Sequence, residues 1–408
     1  MNLLHIISSM DPTTGGPCQG IRNSNDALSK QGVQREVICL DDPAAAYLGH
    51  DEFTIHALGP VQGTWKYSKN LIPWLLKNFH RFDVIVINGL WQYHAYATDR
   101  ALKIFRKQVA GSGSAQKVPK LFVMPHGMLD PYFQRAESRK LKAVRNWFYW
   151  KIIEKRVINN AEGLLFTCEE ELRLARQTFS GYRPKQELNV GYGIVEPTSF
   201  IPAMRQAFLK NCPELNSGPY LLFLSRIHPK KGVDLLLRAY TTLLTNPEIS
   251  QLPQLVIAGP GLETEYGVQM RQLARQIESL GGIVHFTGML SGDAKWGALY
   301  GCEGFILPSH QENFGIVVAE ALACAKPVLI SNQVNIWREI ELAGAGIVEG
   351  DDLIGTTAML NSWLALTDQQ KSEMSENGHA CYVNSFETGP AAEKFLKAIS
   401  PATEPVTI

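Results

Sequence analysis

The chain has 408 residues, of which 45% are hydrophobic and 19% charged, so it can bury a large core and is neither disordered nor fibrous. At roughly 150 residues per domain, this length predicts two domains or three. No run of about 18 uncharged apolar residues is present, so no membrane span is expected. The seven cysteines form no C-x-x-C pair, which favours buried thiols in a reducing cytoplasm over disulfides or a zinc site.

The net charge of zero conceals an asymmetry between the two halves of the chain. Residues 1–196 carry 25 Lys/Arg and 18 Asp/Glu, whereas residues 197–408 carry 14 and 21. A basic first half suits an acidic or phosphate-bearing partner, and a surface imbalance without function is the alternative. The neutral total argues against a nucleic-acid partner.

Short apolar runs alternate with longer amphipathic stretches along the whole chain. The runs lie at 3–8, 36–40, 83–88, 120–125, 163–167, 220–225, 254–259, 283–288, 304–308, 327–331 and 345–349. Such runs predict parallel strands buried on both faces, and therefore an α/β fold with doubly wound sheets. The stretch between Gly193 and Pro219 has the composition of a linker with a short polar helix. We therefore predict Rossmann-like domains over 1–196 and 197–384.

The strongest motif is S-H-Q-E-N-F-G-I-V-V-A-E at 309–320, which follows a predicted strand and opens a helix near Phe314 or Gly315. The amides expected to point out of the helix start, where an anion binds, are those of Asn313, Phe314, Gly315 and Ile316. Glu320 would then be within reach of a vicinal diol, and Glu312 of sugar hydroxyls beyond it. An acidic helix start with a solvated Glu is the alternative, which the intervening Phe-Gly and the strand-end position disfavour.

A second motif, L-S-R-I-H-P-K-K-G at 224–232, also follows a strand. Arg226 and Lys231 flank a tight Pro turn, and two cations aimed at one point suit a diphosphate. Lys230 competes with Lys231, and we prefer Lys231 because Gly232 frees the chain to bring it inward. A basic surface turn is the alternative.

Two further loops follow strands of the first half. In T-T-G-G-P, Gly15 and Gly16 expose backbone donors and form half of an anion nest, or a plain strand-to-helix turn. In P-H-G-M-L-D, His126 is placed like a site residue, although a lone His is more often structural. Asp130 is expected to cap the next helix or to contact a ligand.

Weaker candidates also follow strand ends. Backbone contacts to a base or phosphate are expected from Gly259, Gly261, Gly288 and Met289. Trp91, Tyr93 and His94 could stack against sugar rings, and core packing is the alternative. The basic and aromatic segment 139–157 invites a membrane-surface interpretation. Its basic residues do not share one helical face, so we predict a mostly buried helix with snorkelling ends.

In order and spacing these motifs resemble the retaining glycosyltransferases of family 4, which have the GT-B fold. The resemblance rests on E-x7-E at Glu312 and Glu320, the Arg226 and Lys231 pair, the Gly-Gly-Pro loop and the His-Gly pair, and it covers nearly the whole chain. It implies two Rossmann-like domains facing an interdomain cleft, with a C-terminal helix at about 385–400 crossing back onto the first. The second domain would hold a nucleotide-sugar donor, and the first would receive the acceptor.

The resemblance also implies roles for individual residues. The implied donor contacts are Glu320 on the ribose, Arg226 and Lys231 on the diphosphate with help from the Gly16 loop, and the amides near Phe314 and Gly315 on the sugar. Glu312 and His126 would act at the sugar and are the implied catalytic residues. Asn313 stands where many members have a small residue, which bears on the donor sugar.

The function expected on this basis is metal-independent, retaining transfer of a hexose in the cytoplasm, with no cofactor. The expected donor is UDP-glucose, and the expected acceptor is a hydroxyl of a glycan or a lipid-linked saccharide in polysaccharide biosynthesis. The basic first half motivates peripheral contact with the inner membrane face. Acceptor contacts are expected from Trp91, Tyr93, His94 and Asp130. The alternatives are a nucleotide-sugar epimerase of the same fold and a non-catalytic nucleotide-sugar-binding component of a polysaccharide assembly complex.

Overall fold

The computed structural model describes residues 1–112, 116–135, 139–215, 218–249 and 251–400. Within it the chain divides into two α/β units. The first unit comprises Met1–Gly193 and the chain from Thr388 onward, and the second comprises Ile194–Glu387. The predicted domain boundaries lie at 196/197 and 384/385.

The first unit is built on a parallel sheet of seven strands in the order β3-β2-β1-β4-β5-β6-β7. Its strands are β1 Asn2–Ile7, β2 Gln34–Cys39, β3 Thr54–Ala57, β4 Val84–Asn88, β5 Lys120–Met124, β6 Gly163–Phe166 and β7 Glu187–Asn189. Its helices are α1 Gly16–Asn23, α2 Asn25–Lys30, α3 Leu71–Asn78, α4 Tyr93–Ser112, α5 Tyr132–Arg135, α6 Lys140–Tyr149, α7 Lys155–Asn160 and α8 Glu169–Ala175. The central strand β4 is buried along its whole length, as expected of a strand covered on both faces.

The second unit has a parallel sheet of six strands in the order β10-β9-β8-β11-β12-β13. Its strands are β8 Tyr220–Leu224, β9 Gln254–Ala258, β10 Val284–Gly288, β11 Gly304–Leu307, β12 Val328–Ser331 and β13 Gly346–Glu349. Its helices are α9 Pro202–Asn211, α10 Val233–Leu244, α11 Glu265–Ser279, α12 Gly292–Gly301, α13 Ile316–Ala323, α14 Trp337–Ala343, α15 Leu353–Ala365 and α16 Asp368–Cys381. The last helix, α17 Thr388–Ile399, belongs to the first unit and contacts α2. Each predicted apolar run coincides with a strand, so the α/β prediction is confirmed.

Two strands of the first sheet, β3 and β7, have no counterpart in the predicted set. Both are short edge strands whose residues are exposed or half-buried. An edge strand pairs with a neighbouring strand along one edge only and can be partly exposed, so it does not need a continuous apolar run. The hydrophobic pattern therefore carries no signal for either strand.

The short helix predicted between Gly193 and Pro219 is present as α9, but it is a packed part of the second unit and not of a linker. This helix buries Met204 and Phe208 and packs on α12. A Cβ added to Gly297 of α12 would lie 2.0 Å from the Met204 carbonyl oxygen, so the two helices approach closely. The polar residues that dominate the α9 sequence lie on its exposed face, and its few apolar residues face α12.

The prediction of a mostly buried helix over 139–157 is also wrong. The segment forms α6, a π-helical turn at Trp150–Glu154 and α7. Trp150 and Glu154 are buried, but several of its large apolar side chains are exposed. The aromatic residues of this segment therefore do not indicate that the segment is buried.

Candidate functional site

The site residues predicted from sequence follow strands at the point where each sheet reverses its order. In the first sheet β1 lies beside β4, and in the second sheet β8 lies beside β11. Chains leaving such a strand pair diverge to opposite faces, which opens a crevice beyond the carboxyl ends where α/β proteins bind ligands. Gly15 and Gly16 follow β1, and Lys231 and Glu312 follow β8 and β11.

Lys231 is held inside the second unit by the turn that follows β8. One turn of 3-10 helix at Pro229–Lys231 leads into Gly232, whose φ is +69°. The Lys231 side chain is only 8% exposed, and its Nζ contacts the Glu312 carboxylate. The Lys230 main-chain carbonyl accepts the His310 N–H at 2.9 Å, which ties this turn to the loop after β11. Lys231 is buried in contact with Glu312, as the preference for Lys231 predicts, while Arg226 is exposed.

The electrostatic setting of Lys231 disfavours its charge. Burial lowers the pKa of Lys231 to about 7, and Lys230 and Arg226 act in the same direction. The contact with Glu312 acts in the opposite direction. An anionic ligand beside Lys231 would stabilise its ammonium form, so this lysine is suited to a phosphate.

Gly232 is required by a close backbone approach. A Cβ at this position would lie 2.0 Å from the Pro308 carbonyl oxygen, on the loop that carries Glu312. We expect Gly232→Ala to lower the free energy of unfolding by ~2–4 kcal/mol, because strain at positive φ adds to the clash. Denaturant unfolding measures it.

Gly281→Ala is the matched control for this variant. Gly281 has a φ of +88° and open space around its Cβ position. It therefore measures backbone strain alone, which costs ~1–2 kcal/mol. Equal losses in the two variants would contradict the close approach of Gly232 to Pro308.

The loop after β11 fixes the position of Glu312. The Glu312 N–H donates to the Gln333 carbonyl at 2.9 Å, and the Glu312 carbonyl accepts the Asn335 N–H at 3.0 Å. Gly315 has a φ of +77°, which ends the loop, and α13 begins at Ile316. The amides that open the helix are therefore those of Ile316 and Val317, whereas Asn313 and Phe314 precede it. Phe314 is buried.

Glu320 of α13 has one carboxylate oxygen without a hydrogen-bond partner among the described residues. Its side chain is 12% exposed, and Lys295 of α12 places Nζ 2.6 Å from Oε1. The other oxygen, Oε2, is buried and has no hydrogen-bond partner among the described residues. Burial raises the pKa of Glu320, and Lys295 opposes this shift. A buried acceptor without a donor is costly, so a ligand hydroxyl at this point would be stabilised.

Glycines after β9 and β10 prove to have different roles. Gly259 has a φ of +146°, and a Cβ there would lie 1.9 Å from the Ser225 carbonyl oxygen. Its N–H donates to the Gly288 carbonyl at 2.8 Å, so the Gly259 amide is already used within the second unit and the predicted backbone contact to a ligand would come from another backbone atom. Gly261 likewise approaches the Ile227 carbonyl. Met289 is exposed.

In the first unit a polar cluster links three adjacent strands, β1, β4 and β5. Asn88, the last residue of β4, lies between His5 of β1 and His126 after β5. Its Nδ2 is 3.1 Å from His5 Nδ1, and its Oδ1 is 3.1 Å from His126 Nε2. Neither His5 nor Asn88 was among the predicted site residues. Asn88 could have been found as the polar end of an otherwise apolar strand.

The cluster determines which nitrogen of His126 carries a proton. Asn88 Nδ2 also donates to the Val86 carbonyl at 3.2 Å, and a carbonyl can only accept. The amide oxygen therefore faces His126 and accepts its Nε2–H. Burial lowers the pKa of His126 to about 4, so the ring is neutral near pH 7. Its Nδ1 then carries a lone pair that can accept a hydrogen bond.

A cavity of about 60 Å³ lies against this cluster, lined by residues of the first unit, α17 included. Phe395 of α17 stacks on His5, with ring centroids 6.1 Å apart. His5 Nε2 is buried and has no partner among the described residues. Gly15, at a φ of +95°, leads into α1, and the Gly16 carbonyl accepts the Tyr192 hydroxyl.

The four acceptor candidates are placed very differently. Tyr93 and His94 are buried, and His94 Nε2 donates to the Asn88 carbonyl at 3.0 Å. Both side chains serve the core, so their predicted role against a sugar is wrong. Asp130 is buried and accepts the Tyr132 N–H at 2.8 Å, which caps α5. Trp91 is half-buried, with a φ of +68°, and remains a candidate.

Metal-binding side chains do not cluster in the described ranges, since no group of three His, Cys, Asp or Glu there could hold an ion. All seven cysteines are buried, and none forms a disulfide. No helix in the part of the chain that the structure describes is long and apolar enough to cross a bilayer. The second unit offers lysine, carboxylate and backbone amide groups to a ligand, and the first unit offers imidazole groups.

Comparison with known families assigns the chain. The family described as "Glycosyl transferase 4-like domain" matches residues 15–193, and the family "Glycosyl transferases group 1" matches residues 206–379. Together the two matches span most of both units. The chain belongs to the GT-B glycosyltransferases of family 4.

Individual relatives agree with this assignment. A D-inositol 3-phosphate glycosyltransferase from Actinosynnema mirum is 35% identical over 62% of this chain and 60% of its own length. Another from Geodermatophilus obscurus is 26% identical over 62% and 55%. The chain thus spans little more than half the length of these curated relatives.

Solved structures match over nearly the whole chain. A sucrose-phosphate synthase from Thermosynechococcus elongatus has a TM-score of 0.69 at 18% identity, over 98% of both chains. Anabaena HepE in complex with UDP and glucose has a TM-score of 0.66 at 17% identity, over 97% of this chain and 98% of its own. At these identities the likeness establishes the fold alone.

Proposed function

We propose that this protein transfers a sugar from a nucleotide-diphosphate sugar to an acceptor hydroxyl. The observation that carries the proposal is the buried Glu320 oxygen without a donor, about one helical turn into α13. A ribose diol supplies the missing hydrogen bond. The diphosphate then lies at the start of α13, beside Lys231 and Arg226.

The finer assignment is a metal-independent, retaining hexosyltransferase that uses UDP-glucose. Anabaena HepE, whose structure includes UDP and glucose, supports this choice of donor as a neighbour in fold. The acceptor is a hydroxyl of a glycan or lipid-linked saccharide in polysaccharide biosynthesis. Glu312 binds hydroxyls of the donor sugar, and Asn313 contributes to the choice of sugar.

The reaction forms a bond from the acceptor oxygen to the anomeric carbon and breaks the bond from that carbon to the diphosphate. The acceptor proton passes to the departing phosphate, which attack on the same face of the sugar allows. Negative charge grows on the diphosphate, where Lys231, Arg226 and the amides of α13 neutralise it. Neutral His126 accepts a hydrogen bond from the sugar at Nδ1 and holds it in position.

Binding of UDP, GDP and ADP in EDTA tests the donor site. We expect one nucleotide to bind without metal and Glu320→Ala to weaken its binding by ~10–100-fold, the size of lost hydrogen bonds to a charged group. Isothermal titration measures the dissociation constants. Glu278→Ala, an exposed carboxylate on α11, is the matched control.

Product analysis separates this proposal from the two alternatives. Incubation with the donor and a panel of saccharide acceptors is expected to release the nucleoside diphosphate and yield a glycoside. An epimerised donor formed without any acceptor would show the epimerase. Tight nucleotide binding with no turnover, and unaltered binding in Glu320→Ala, would each contradict the transferase.

A further inference from the structure

A run of exposed apolar side chains marks the surface of α6 and the π-helical turn after it. We call this the α6 surface, and its members are Leu141, Val144, Trp147, Phe148 and Ile152. Leu141 is 90% exposed and Ile152 is 67% exposed. Single exposed apolar residues are ordinary, but five on one short segment indicate an interaction site.

The opposite side of the same segment is firmly packed. Trp150 is buried and stacks on Phe179, with ring centroids 4.7 Å apart, and its Nε1–H donates to the Ser180 carbonyl at 3.0 Å. Asn146 is also buried. The orientation of α6 is therefore fixed by the core, which leaves the apolar residues facing outward.

The charges around the α6 surface are of one sign. Between residues 139 and 160 the basic residues are Arg139, Lys140, Lys142, Arg145, Lys151, Lys155 and Arg156. The acidic residue in that range is Glu154, which is fully buried. Lys151 lies over the Trp147 ring at 3.8 Å, so cation and aromatic ring share one patch. The segment thus presents cations among apolar groups and no exposed carboxylate.

A basic groove continues this surface. It has a volume of about 270 Å³ and lies between α4 and the segment from Ile152 to Val157. Its cationic lining comes from Arg100, Lys103, Lys107 and Arg156, and its one carboxylate, Asp99, pairs with Lys103 at 2.6 Å. The groove is therefore net positive and large enough for a phosphate headgroup.

We propose that the α6 surface and this groove dock the protein on an anionic lipid bilayer. Leu141, Phe148 and Ile152 enter the boundary between headgroups and acyl chains, Trp147 lies at that boundary, and the lysines and arginines contact lipid phosphates. A second copy of the chain fits poorly, since the two basic surfaces would repel each other. The excess of basic residues in the first half of the sequence is concentrated on this surface.

The α6 surface is also tied to the loop that follows β4. Glu154 Oε1 accepts the Trp91 N–H at 2.7 Å, and the Tyr149 hydroxyl accepts the Trp65 Nε1–H at 2.5 Å. Docking therefore holds this end of the first sheet near the bilayer. The consequence for the acceptor rests on the proposed function: a lipid-linked saccharide is the class delivered to that loop.

Vesicle co-sedimentation of the full chain tests the docking surface. The vesicles contain phosphatidylcholine alone or phosphatidylcholine with phosphatidylglycerol, at low and high salt. We expect binding to the anionic vesicles that weakens with salt, and at least a tenfold loss in the variant L141Q/F148Q/I152Q. The control is L342Q/I354Q, which replaces two strongly exposed apolar residues of the second unit.

The outcomes separate this proposal from its rivals. Equal binding to neutral and anionic vesicles, or undiminished binding of the triple variant, would overturn it. A dimer in sedimentation equilibrium that the triple variant abolishes would identify a homomeric interface instead. Nucleotide binding is expected to be unchanged in the triple variant, whereas failure of Glu320→Ala to alter it bears on the proposed function alone.

Discussion

Lys231→Ala is expected to lower kcat/KM for sugar transfer by ~10³-fold, because it removes the buried cation that meets the charge of the departing diphosphate. Arg226 is exposed and cannot replace it. Lys230→Ala removes the same charge one residue away and is expected to have a small effect. Steady-state kinetics with a saturating acceptor measure both variants.

The Lys231→Ala variant also leaves Glu312 without its cation, which could by itself disturb the loop after β11. The double variant Lys231→Ala/Glu312→Gln removes that charge and separates the two effects. Recovery of nucleotide binding in the double variant would show that the loss came from Glu312. Persistent loss assigns it to Lys231.

Nucleotide binding is expected to depend on pH through the same lysine. The pKa of Lys231 is about 7 in the unliganded protein, and a diphosphate binds the protonated form. As pH rises above 7, binding must be accompanied by proton uptake, so the dissociation constant increases by up to about tenfold per pH unit. Lys231→Arg, which stays charged, is expected to remove this dependence. A flat profile in the wild type would contradict it.

The strands that position the site follow directly from the sequence. A parallel strand between two helical layers must be apolar along its length, so runs such as 83–88 and 304–308 indicate it without any tertiary information. Residues directly after these strands, such as Lys231 and Glu312, share in this predictability. Their place after a strand end predicts that they lie beyond the carboxyl edge of the sheet, but it does not predict the direction of their side chains.

Residues that reach the site from other elements could not be found this way. Lys295 lies on α12 and meets Glu320 only through the packing of two helices. His5 lies inside β1 and looks like a core residue until Asn88 is opposite it. Tyr93 and His94 show the reverse error, because proximity to a strand end does not tell which way a side chain points.

His126 gives the second large expected effect. His126→Ala is expected to lower kcat by ~10²-fold and to change the dissociation constant of the nucleotide by less than about twofold, because the lost hydrogen bond is to the sugar. With a pKa of about 4, His126 stays neutral across the working range, so wild-type kcat should show no step from this residue near pH 6.5. Equal losses in nucleotide binding and kcat would contradict this role.

Asn88 is the positioning residue for His126, and a variant of Asn88 tests whether the His126 ring must be neutral. Asn88→Asp places a carboxylate between His5 and His126 with little change in shape, and that charge raises the pKa of His126 toward neutrality. Protonation removes the Nδ1 lone pair, so kcat of the variant should be low at slightly acid pH and rise as His126 loses its proton. A purely structural role for Asn88 would lower kcat equally at all pH values. A kcat profile from pH ~5.5 to ~8.5, with thermal unfolding of the variant beside it, distinguishes the two.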